Sequence, residues 1–396
     1  MISLRDNKAL YAAFDLYPSQ KGASTHIQQF ASTLFTHYKS GLLYVLGDDE
    51  LSAHQREDNV EIVRFVQQHA NFIHRTRAYG KFLQNILSQQ KHSLALCHFR
   101  DPWSGVPILS VKNRPYRTVY EVNGLPSIEL PYAFPHIATP TLEKISALED
   151  LCLQECDAIV VPSFTIENNL IARGVAQSKI TVIPNGASIL PTTAQAGPDL
   201  PEQYILYFGA VQPWQGVDTL LRAFSLLSDL ESLKLVICCS VKPRHTKQYI
   251  KLTEKLGIGA RVIWKYRLSE AQLLPWKTHA LASIAPLTEC SRNLQQGCSP
   301  LKIIESMAVS VPVIASDLPV TREIVDNKVN GLLVKAQRPA EFSRAVRLLL
   351  DYPDMRKQLA TQAREKIKQN FQWEMAREKL SELYQNIDMS TQKPTE

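Results

Sequence analysis

Lys302 and Glu305 are the residues of this chain whose types and spacing best fit the recognition of a phosphorylated ligand. They are three positions apart, so a helix places both side chains on one face. Ser299 and Pro300 predict that such a helix begins just before Lys302, because a serine oxygen can cap a free N–H group and proline has none to lose. A lysine in the first turn opposes the helix dipole unless an anion also binds there, so the segment predicts a phosphate site.

Glu305 extends this prediction to the sugar of a nucleotide. A carboxylate one helical turn beyond a phosphate site can accept hydrogen bonds from both hydroxyls of a ribose. The same residues also fit a simpler structure, a capped helix that carries a surface Lys–Glu pair. In either case Leu301, Ile304 and Ala308 predict one apolar face, and the stretch 311–315 predicts a buried strand.

Length, charge and cysteine content exclude several classes of protein. The chain has 396 residues, which predicts two domains, and its net charge of +6 is too weak and too dispersed to indicate nucleic-acid binding. That charge fits anionic small ligands or a peripheral contact with a membrane. No apolar run has transmembrane length, and the polar segment Met1–Lys8 is unlike a signal peptide. The 7 cysteines, without metal-like spacing, favour a reducing cytoplasm.

The first half of the chain alternates predicted strands and helices. A strand at Ala9–Phe14 is followed by a loop that contains Gly22 and by a helix at 24–38. A strand, a loop with glycine and a helix N-terminus present the backbone to a ligand at the carboxyl edge of a sheet. His26, near the start of that helix, reaches into the resulting crevice or is an ordinary surface histidine.

Two further segments of this half carry candidate residues for the cleft. A strand at Leu94–His98 brings Arg100 and Asp101 to the sheet edge, where they line a ligand site or form a structural ion pair. The strand Thr118–Val122 leads into a turn-rich segment, Asn123–Pro131, that is too apolar for a solvated loop. We therefore expect this segment to cover or line a site.

The second half restarts the alternation after a segment rich in Pro, Thr, Ala and Gly. That segment, 188–203, predicts a linker, and Tyr204–Phe208 predicts a strand that ends at Gly209. Two successive α/β series predict two Rossmann-like domains that face one another. The predicted divisions are a first domain at 1–187, a second at 204–370, a helix at 371–388 and a polar tail at 389–396.

Seven short motifs, spread over nearly the whole chain, are informative when they are taken together. They are Val182–Gly186, Ile205–Gly209, Gly216–Phe224, Ser299–Ala308, Val311–Asp317, Asn330–Val334 and Gln372–Glu374. This set closely resembles the family-four retaining glycosyltransferases. The resemblance implies the GT-B fold, in which the C-terminal domain binds a nucleotide-sugar donor, the N-terminal domain binds the acceptor, and the final helix crosses back to the first domain. It implies a hexosyl- or related transferase whose acceptor is a glycan, a lipid-linked group or a small molecule.

The resemblance also implies roles for individual residues. Glu305 is similar to the glutamate that holds the donor ribose, and Lys302 with the N–H groups of Ser299–Leu301 would face the diphosphate. Gly209 would lie on the donor side, and Gly22 resembles the first-loop glycine that approaches the transferred group.

The chain departs from the family pattern at several places. The first glutamate of the E-x7-E pattern falls on Gly297, and the basic pair that clasps the diphosphate is replaced by Ala210 and Gln215. A usual histidine is replaced by Arg100. These departures favour a second hypothesis, a GT-B protein that binds nucleotide sugar or glycan without transfer. A sugar-nucleotide epimerase on the same fold would need carboxylates around the sugar and a histidine that the sequence does not place.

As a glycosyltransferase, the chain must stabilise the charge that builds up on the departing phosphate. Lys302 is the principal candidate, and the substitutes for the missing basic pair are Arg292, Arg100, Lys242 and Arg244. A helix dipole and basic donors can do this without a metal, and no Asp-x-Asp motif ends a strand. We therefore expect no metal and no cofactor beyond the nucleotide-sugar co-substrate. The nucleobase, the sugar, the acceptor and the oligomeric state are left open.

Overall fold

The computed structural model describes residues 8–19, 22–189 and 199–392. These residues form two compact units, each with its own sheet. One unit comprises 8–19, 23–183 and 377–392, and the other comprises Gly22, 184–189 and 199–376. Most of the predicted linker at 188–203 and the last part of the predicted tail lie outside the described residues.

The first unit is built on an eight-stranded sheet. Its strands are β1 (Lys8–Leu16), β2 (Gly41–Leu46), β3 (His54–Glu57), β4 (Val60–Phe65), β5 (Leu94–Phe99), β6 (Arg117–Glu121), β7 (Ala158–Val161) and β8 (Ile180–Val182). The strand order is β3-β4-β2-β1-β5-β6-β7-β8, and all pairs are parallel except β3 with β4. The helices are α1 (Gly22–Tyr38), α2 (Phe72–Gln90), α3 (Pro102–Leu109), α4 (Pro126–Ala133), α5 (Thr139–Glu155) and α6 (Phe164–Ala172).

The second unit has a six-stranded parallel sheet. Its strands are β9 (Tyr204–Gly209), β10 (Lys234–Cys239), β11 (Val262–Tyr266), β12 (Ala282–Ala285), β13 (Val313–Ser316) and β14 (Leu332–Val334). The strand order is β11-β10-β9-β12-β13-β14. The helices are α7 (Val217–Ser225), α8 (Lys247–Lys255), α9 (Glu270–Thr278), α10 (Leu301–Ala308), α11 (Pro319–Arg322), α12 (Pro339–Asp351) and α13 (Pro353–Asn370).

The last helix, α14 (Trp373–Gln392), belongs mainly to the first unit. Its residues from Arg377 onward pack there, and two of its side chains contact α1. Arg377 donates to Gln29, and Asp388 accepts from the Tyr38 hydroxyl at 2.8 Å. The helix extends beyond the predicted end at 388. None of the described helices combines the length and the apolar character needed to cross a membrane.

The apolar runs of the parallel strands are buried on both faces, as such sheets require. In α10 the fully buried apolar side chains are Ile303, Ile304, Met307 and Ala308, whereas Leu301 is partly exposed. The buried face of this helix is therefore rotated from the predicted one.

The segment 123–131 was predicted to be rich in turns. Its second part forms α4 instead, so that part of the prediction is wrong. Pro126 lies in the first turn, where a missing N–H group costs nothing. The buried carboxylate of Glu149 accepts from the N–H group and the hydroxyl of Ser127, both at 2.7 Å. This contact satisfies the first turn of α4 from another helix, so the local sequence does not reveal it.

Candidate functional site

In the second unit, β9 lies where the strand order of the sheet reverses. β10 and β11 extend from one side of β9, and β12, β13 and β14 extend from the other. In open parallel sheets, ligands bind outside the carboxyl ends of the strands at such a switch point. β9 ends at Gly209, whose φ of 116° is one that other residues rarely adopt. The candidate site therefore comprises the segments that follow β9 and β12.

Lys302 brings a buried cation to this edge of the sheet. It is only 9% exposed, its Nζ lies 4.1 Å from the centre of the Tyr207 ring, and it donates a hydrogen bond to the side-chain oxygen of Gln215. Burial lowers the pKa of Lys302 to about 7. The described side chains give Lys302 no carboxylate partner. Its ammonium group can therefore bind an anion without breaking an ion pair.

The loop between β9 and α7 is tied to the segment that follows β12. Asn293 is fully buried and donates to the carbonyl oxygens of Trp214 and Thr288, at 2.9 and 2.8 Å. Gly216 ends the loop with a φ of 68°, and a Cβ atom there would lie 1.8 Å from the carbonyl oxygen of Pro286. Only glycine fits this junction. The close contact of Gly216 with Pro286 therefore fixes the loop that carries Gln215, the partner of Lys302.

The start of α10 differs from the predicted cap. Pro300, not Ser299, occupies the N-cap position, with a ψ of 100°, so α10 begins at Leu301. Ser299 instead binds Asn185: its Oγ accepts from the Asn185 backbone N–H at 3.1 Å, and its carbonyl oxygen accepts from Nδ2 at 2.7 Å. Among the described residues no side chain caps α10. Its first N–H groups therefore remain available to an anion.

Glu305 has a partner that the sequence did not predict. Nζ of Lys277, on α9, lies 3.1 Å from Oε2 of Glu305. The Lys277 side chain is 3% exposed and the Glu305 side chain is 27% exposed, so the cation is the inner member of the pair. Lys302 is directed to Tyr207 and Gln215. The alternative of a surface ion pair between Lys302 and Glu305 is therefore wrong.

Arg292 and Gly297 bracket a short π-helical turn just before α10. The Arg292 guanidinium lies 5.6 Å from the centre of the Trp214 ring. After burial, which is the largest cause, the charge of Arg292 also contributes to the lowered pKa of Lys302. Gly297 has a φ of 80°, and it takes the place of the first glutamate in the family pattern. Through Trp214, Arg292 contacts the loop that also carries Gln215, the partner of Lys302.

Lys242 and Arg244 lie in the segment after β10. The N–H group of Ser240 donates to the carbonyl oxygen of Gly209 at 3.0 Å, so this segment starts at the same sheet edge as the candidate site. Both basic side chains are exposed. No contact among the described residues joins either of them to Lys302, so the structure does not bring these candidates together.

In the first unit, polar side chains surround the buried carboxylate of Glu121 at the end of β6. Glu121 is 1% exposed. Its Oε1 accepts from Nε of Arg100 at 2.6 Å and lies 3.1 Å from Nδ1 of His26. Its Oε2 accepts from the Tyr11 hydroxyl at 2.7 Å and lies 3.1 Å from Nε2 of His98. We call these five residues, together with Asn123, the Glu121 cluster.

Three predicted cleft residues, His26, Arg100 and Asn123, thus meet at one carboxylate. Nδ2 of Asn123 donates to Oε1 of Glu121. Burial opposes a charge on Glu121, but His26 and Arg100 hold the pKa of its carboxyl well below the usual range. Arg100 also lies 3.1 Å from a carboxylate oxygen of Asp15. His26 is buried, so the alternative of an ordinary surface histidine is wrong.

Asp101 does not pair with Arg100, so the alternative of a structural ion pair between them is wrong. Its Oδ1 accepts from the N–H group of Ser104 at 2.8 Å, and its Oδ2 accepts from that of Phe14 at 2.7 Å. Asp101 therefore caps α3 and ties this helix to β1. Burial raises the pKa of Asp101 to about 6. The remaining cleft candidate, Gly22, is the first residue of α1.

α14 contributes to the Glu121 cluster through Tyr384. The Tyr384 hydroxyl lies 2.8 Å from Nδ1 of His98, and both residues are fully buried. His98 therefore contacts Glu121 with one ring nitrogen and α14 with the other. The final helix is part of the polar core of the first unit.

Two family models match consecutive parts of the chain. The model described as "Glycosyltransferase Family 4" matches residues 21–189, and the model described as "Glycosyl transferases group 1" matches residues 192–366. Together they cover most of the chain. The chain belongs to the family-four glycosyltransferases.

The curated relatives of this family-four chain are distant. The D-inositol 3-phosphate glycosyltransferase of Rhodococcus jostii is 26% identical over 301 residues, which is 72% of this chain and 62% of that protein. The chain spans less than two thirds of the length of the curated relatives that it matches first.

Solved structures share the fold over almost the whole chain. Sucrose-phosphate synthase from Thermosynechococcus elongatus superposes with a TM-score of 0.78 at 17% identity, over 97% of this chain and 100% of that one. Anabaena HepE, solved with UDP and glucose, superposes with a TM-score of 0.73 at 15% identity, over 96% and 99%. At these identities the likeness concerns the fold alone. It confirms the predicted GT-B fold.

The sequence analysis of this family-four chain did not identify Glu121, His98 or Lys277. The sequence did contain a signal for Glu121: a charged residue at the end of a buried strand must find buried partners. Lys277 had none, because a lysine in the last turn of a helix is common on any protein surface.

Proposed function

We propose that the chain is a retaining glycosyltransferase that transfers a sugar from a nucleotide-sugar donor. The observation that carries this proposal is the position of Lys302. A buried ammonium group with a neutral partner lies beside the uncapped start of α10, at the switch point of a parallel sheet. Family membership supports the proposal, and the HepE structure, which has this fold, contains UDP and glucose.

In the proposed reaction, the bond between the anomeric carbon and the donor phosphate breaks. A bond between that carbon and an acceptor hydroxyl oxygen forms on the same face, and the hydroxyl proton passes to the leaving phosphate. Lys302 and the N–H groups of α10 stabilise the charge that grows on this phosphate, with Arg292 nearby as a second cation. Glu305 accepts hydrogen bonds from the ribose hydroxyls.

We further propose that transfer needs no divalent ion. Among the described residues, no three His, Cys, Asp or Glu side chains are grouped so that they could hold a metal. The positive charge comes from Lys302 and the helix N-terminus. Activity should therefore persist in EDTA. A loss of activity that Mg²⁺ or Mn²⁺ restores would contradict this part of the proposal.

The acceptor is proposed to be a glycan, a lipid-linked group or a small molecule, bound by the first unit. The Glu121 cluster lies at the carboxyl ends of β5 and β6, the sheet edge at which α/β proteins bind ligands. We also propose that the reaction takes place in the cytoplasm. The net charge of +6 fits a peripheral contact with an anionic membrane surface.

The second candidate is a protein that binds nucleotide sugar without transfer. One contact favours it: Arg100, a candidate substitute for the missing basic pair, is held by Glu121 and Asp15. Thermal melting with a panel of UDP-, GDP- and ADP-sugars identifies the donor, because a ligand at 100 times its Kd stabilises the fold by about 2.7 kcal/mol. Calorimetry then measures the binding of that donor to the protein. A separate assay measures the release of nucleoside diphosphate from it.

Transfer predicts both binding and diphosphate release, and the release should accelerate when the correct acceptor is added. Binding without release, with any acceptor of the three classes, would favour the second candidate. The absence of binding by the whole panel would contradict both.

A further inference from the structure

The ion pair between Lys277 and Glu305 joins a buried cation to a partly exposed carboxylate. The Lys277 side chain is 3% exposed, and its Nζ lies 5.6 Å from the centre of the Phe208 ring on β9. Taking a lysine ammonium out of water is costly, and apolar residues of similar size often stabilise a fold as well as a buried ion pair does. Stability alone therefore gives little reason for a lysine at this position.

Two cations beside α10 have separate partners. Lys302 donates to Gln215, and Lys277 donates to Oε2 of Glu305 at 3.1 Å. Among the described residues, Oε1 of Glu305 has no hydrogen-bond partner, and 27% of the side chain is exposed. Lys277 thus holds the carboxylate from inside the protein by one oxygen and leaves the other oxygen for a ligand.

We propose that Lys277 is a positioning residue that orients the Glu305 carboxylate towards the ribose of the nucleotide donor. This inference rests on the proposed function, because it requires Glu305 to bind the ribose. A free glutamate side chain loses rotational freedom when it binds a ligand, and an ion pair formed beforehand removes part of that loss. Lys277 acts through Glu305 and makes no contact with the ligand itself.

The test compares ribose with 2′-deoxyribose. UDP, GDP and ADP are measured by calorimetry, and the tightest ligand is carried forward with its 2′-deoxy analogue. The wild type should prefer the ribose form by about tenfold to a hundredfold, because a charged hydrogen bond to the 2′-hydroxyl is lost in the analogue. Glu305→Gln should lose most of this preference.

Lys277→Met should reduce the preference for ribose by about threefold to tenfold and leave the affinity for inorganic pyrophosphate unchanged. The variant should fold, because the glutamate that it leaves unpaired is partly exposed. Lys277→Arg should restore the preference, since it restores a cation. In the Glu305→Gln background, Lys277→Met should have no further effect, because the lysine acts only through the carboxylate.

Lys265→Met is the matched control. Lys265 lies on β11, its Nζ is 5.1 Å from the centre of the Trp276 ring on α9, and it forms no ion pair with Glu305. This variant also removes a lysine that contacts an aromatic ring near α9. It should keep the full preference for ribose.

The outcomes separate the inference from the proposed function. If Glu305→Gln loses the preference and Lys277→Met retains it, the positioning role is wrong and the proposed function stands. Either of two results would show that the ribose assignment is wrong, and the inference would fail with it. In one, the wild type binds the nucleoside diphosphate and its 2′-deoxy analogue equally, and in the other it binds none of the three diphosphates. If Lys277→Met does not fold, Lys277→Gln is measured with the same expectations.

Discussion

Gln215 accepts a hydrogen bond from the ammonium group of Lys302. The resemblance to family four implies a lysine at position 215, so this chain has a neutral amide where a cation is expected. The amide holds Lys302 over the Tyr207 ring without neutralising it. When a diphosphate enters the site, the ammonium group of Lys302 exchanges a neutral partner, Gln215, for a negatively charged one.

Affinity for a nucleoside diphosphate should fall as pH rises above about 7. Burial lowers the pKa of Lys302 to about 7, and a bound anion favours the protonated lysine. Below this pH the lysine is already charged. Above it, binding must take up a proton, so Kd should increase by up to about tenfold per pH unit. Calorimetry in buffers of different ionisation enthalpy measures this uptake directly.

Lys302→Met is the control for the pH dependence. It removes the titrating group, so proton uptake above about pH 7 should disappear. An affinity of the wild-type protein that does not change between neutral and alkaline pH would show that Lys302 is not the group that binds the anion.

Gly216→Ala should displace the loop that carries Gln215. The new Cβ atom would lie 1.8 Å from the carbonyl oxygen of Pro286, and the φ of 68° adds strain. Donor affinity and the free energy of unfolding should both fall, the latter by about 2 kcal/mol or more. Gly257→Ala is the control, because Gly257 has a φ of 69° and nothing within 4 Å of the new Cβ. It should cost only about 1–2 kcal/mol and leave donor affinity intact. Equal effects of the two variants on donor binding would contradict this account of the loop.

Glu121→Gln should destabilise the first unit by about 3 kcal/mol or more, because it leaves Arg100 buried without its principal anion. Urea unfolding measures the loss. Asp15→Asn removes the other carboxylate that contacts Arg100, but the Asp15 side chain is 44% exposed, so we expect a change below about 1 kcal/mol. If the two variants were equally stable, the Glu121 cluster would not be the polar core described above.

The alternation of strands and helices was predictable because parallel strands buried on both faces are short apolar runs, as at Tyr204–Phe208. The helix that carries Lys302 was also predicted, although α10 begins at Leu301 and not at Pro300. The partners of individual side chains were not predictable. Ser299 binds Asn185 and Glu305 binds Lys277, and both partners are distant in sequence. Local spacing carries no information on such contacts.

The Glu121 cluster shows the same limit. Tyr11, His98 and Glu121 lie on separate strands, and Tyr384 comes from the last helix. The sequence offered Arg100 and His26 as candidates for a cleft, but it did not predict that one carboxylate would contact both. The register of three strands and the packing of α14 together bring these side chains into contact.

The most direct test of the central claim is a single-turnover measurement of donor cleavage on Lys302→Met beside Glu305→Gln, with donor affinity measured in parallel. Gln is chosen at 305 because Ala would leave Lys277 buried and unpaired and would destabilise the fold. Charge on the phosphate grows in the transition state, so Lys302→Met should slow cleavage about a hundredfold or more and weaken donor binding less. Glu305→Gln should act chiefly on donor affinity. If Lys302→Met cleaves bound donor at the wild-type rate, Lys302 does not stabilise the departing phosphate and the account is contradicted.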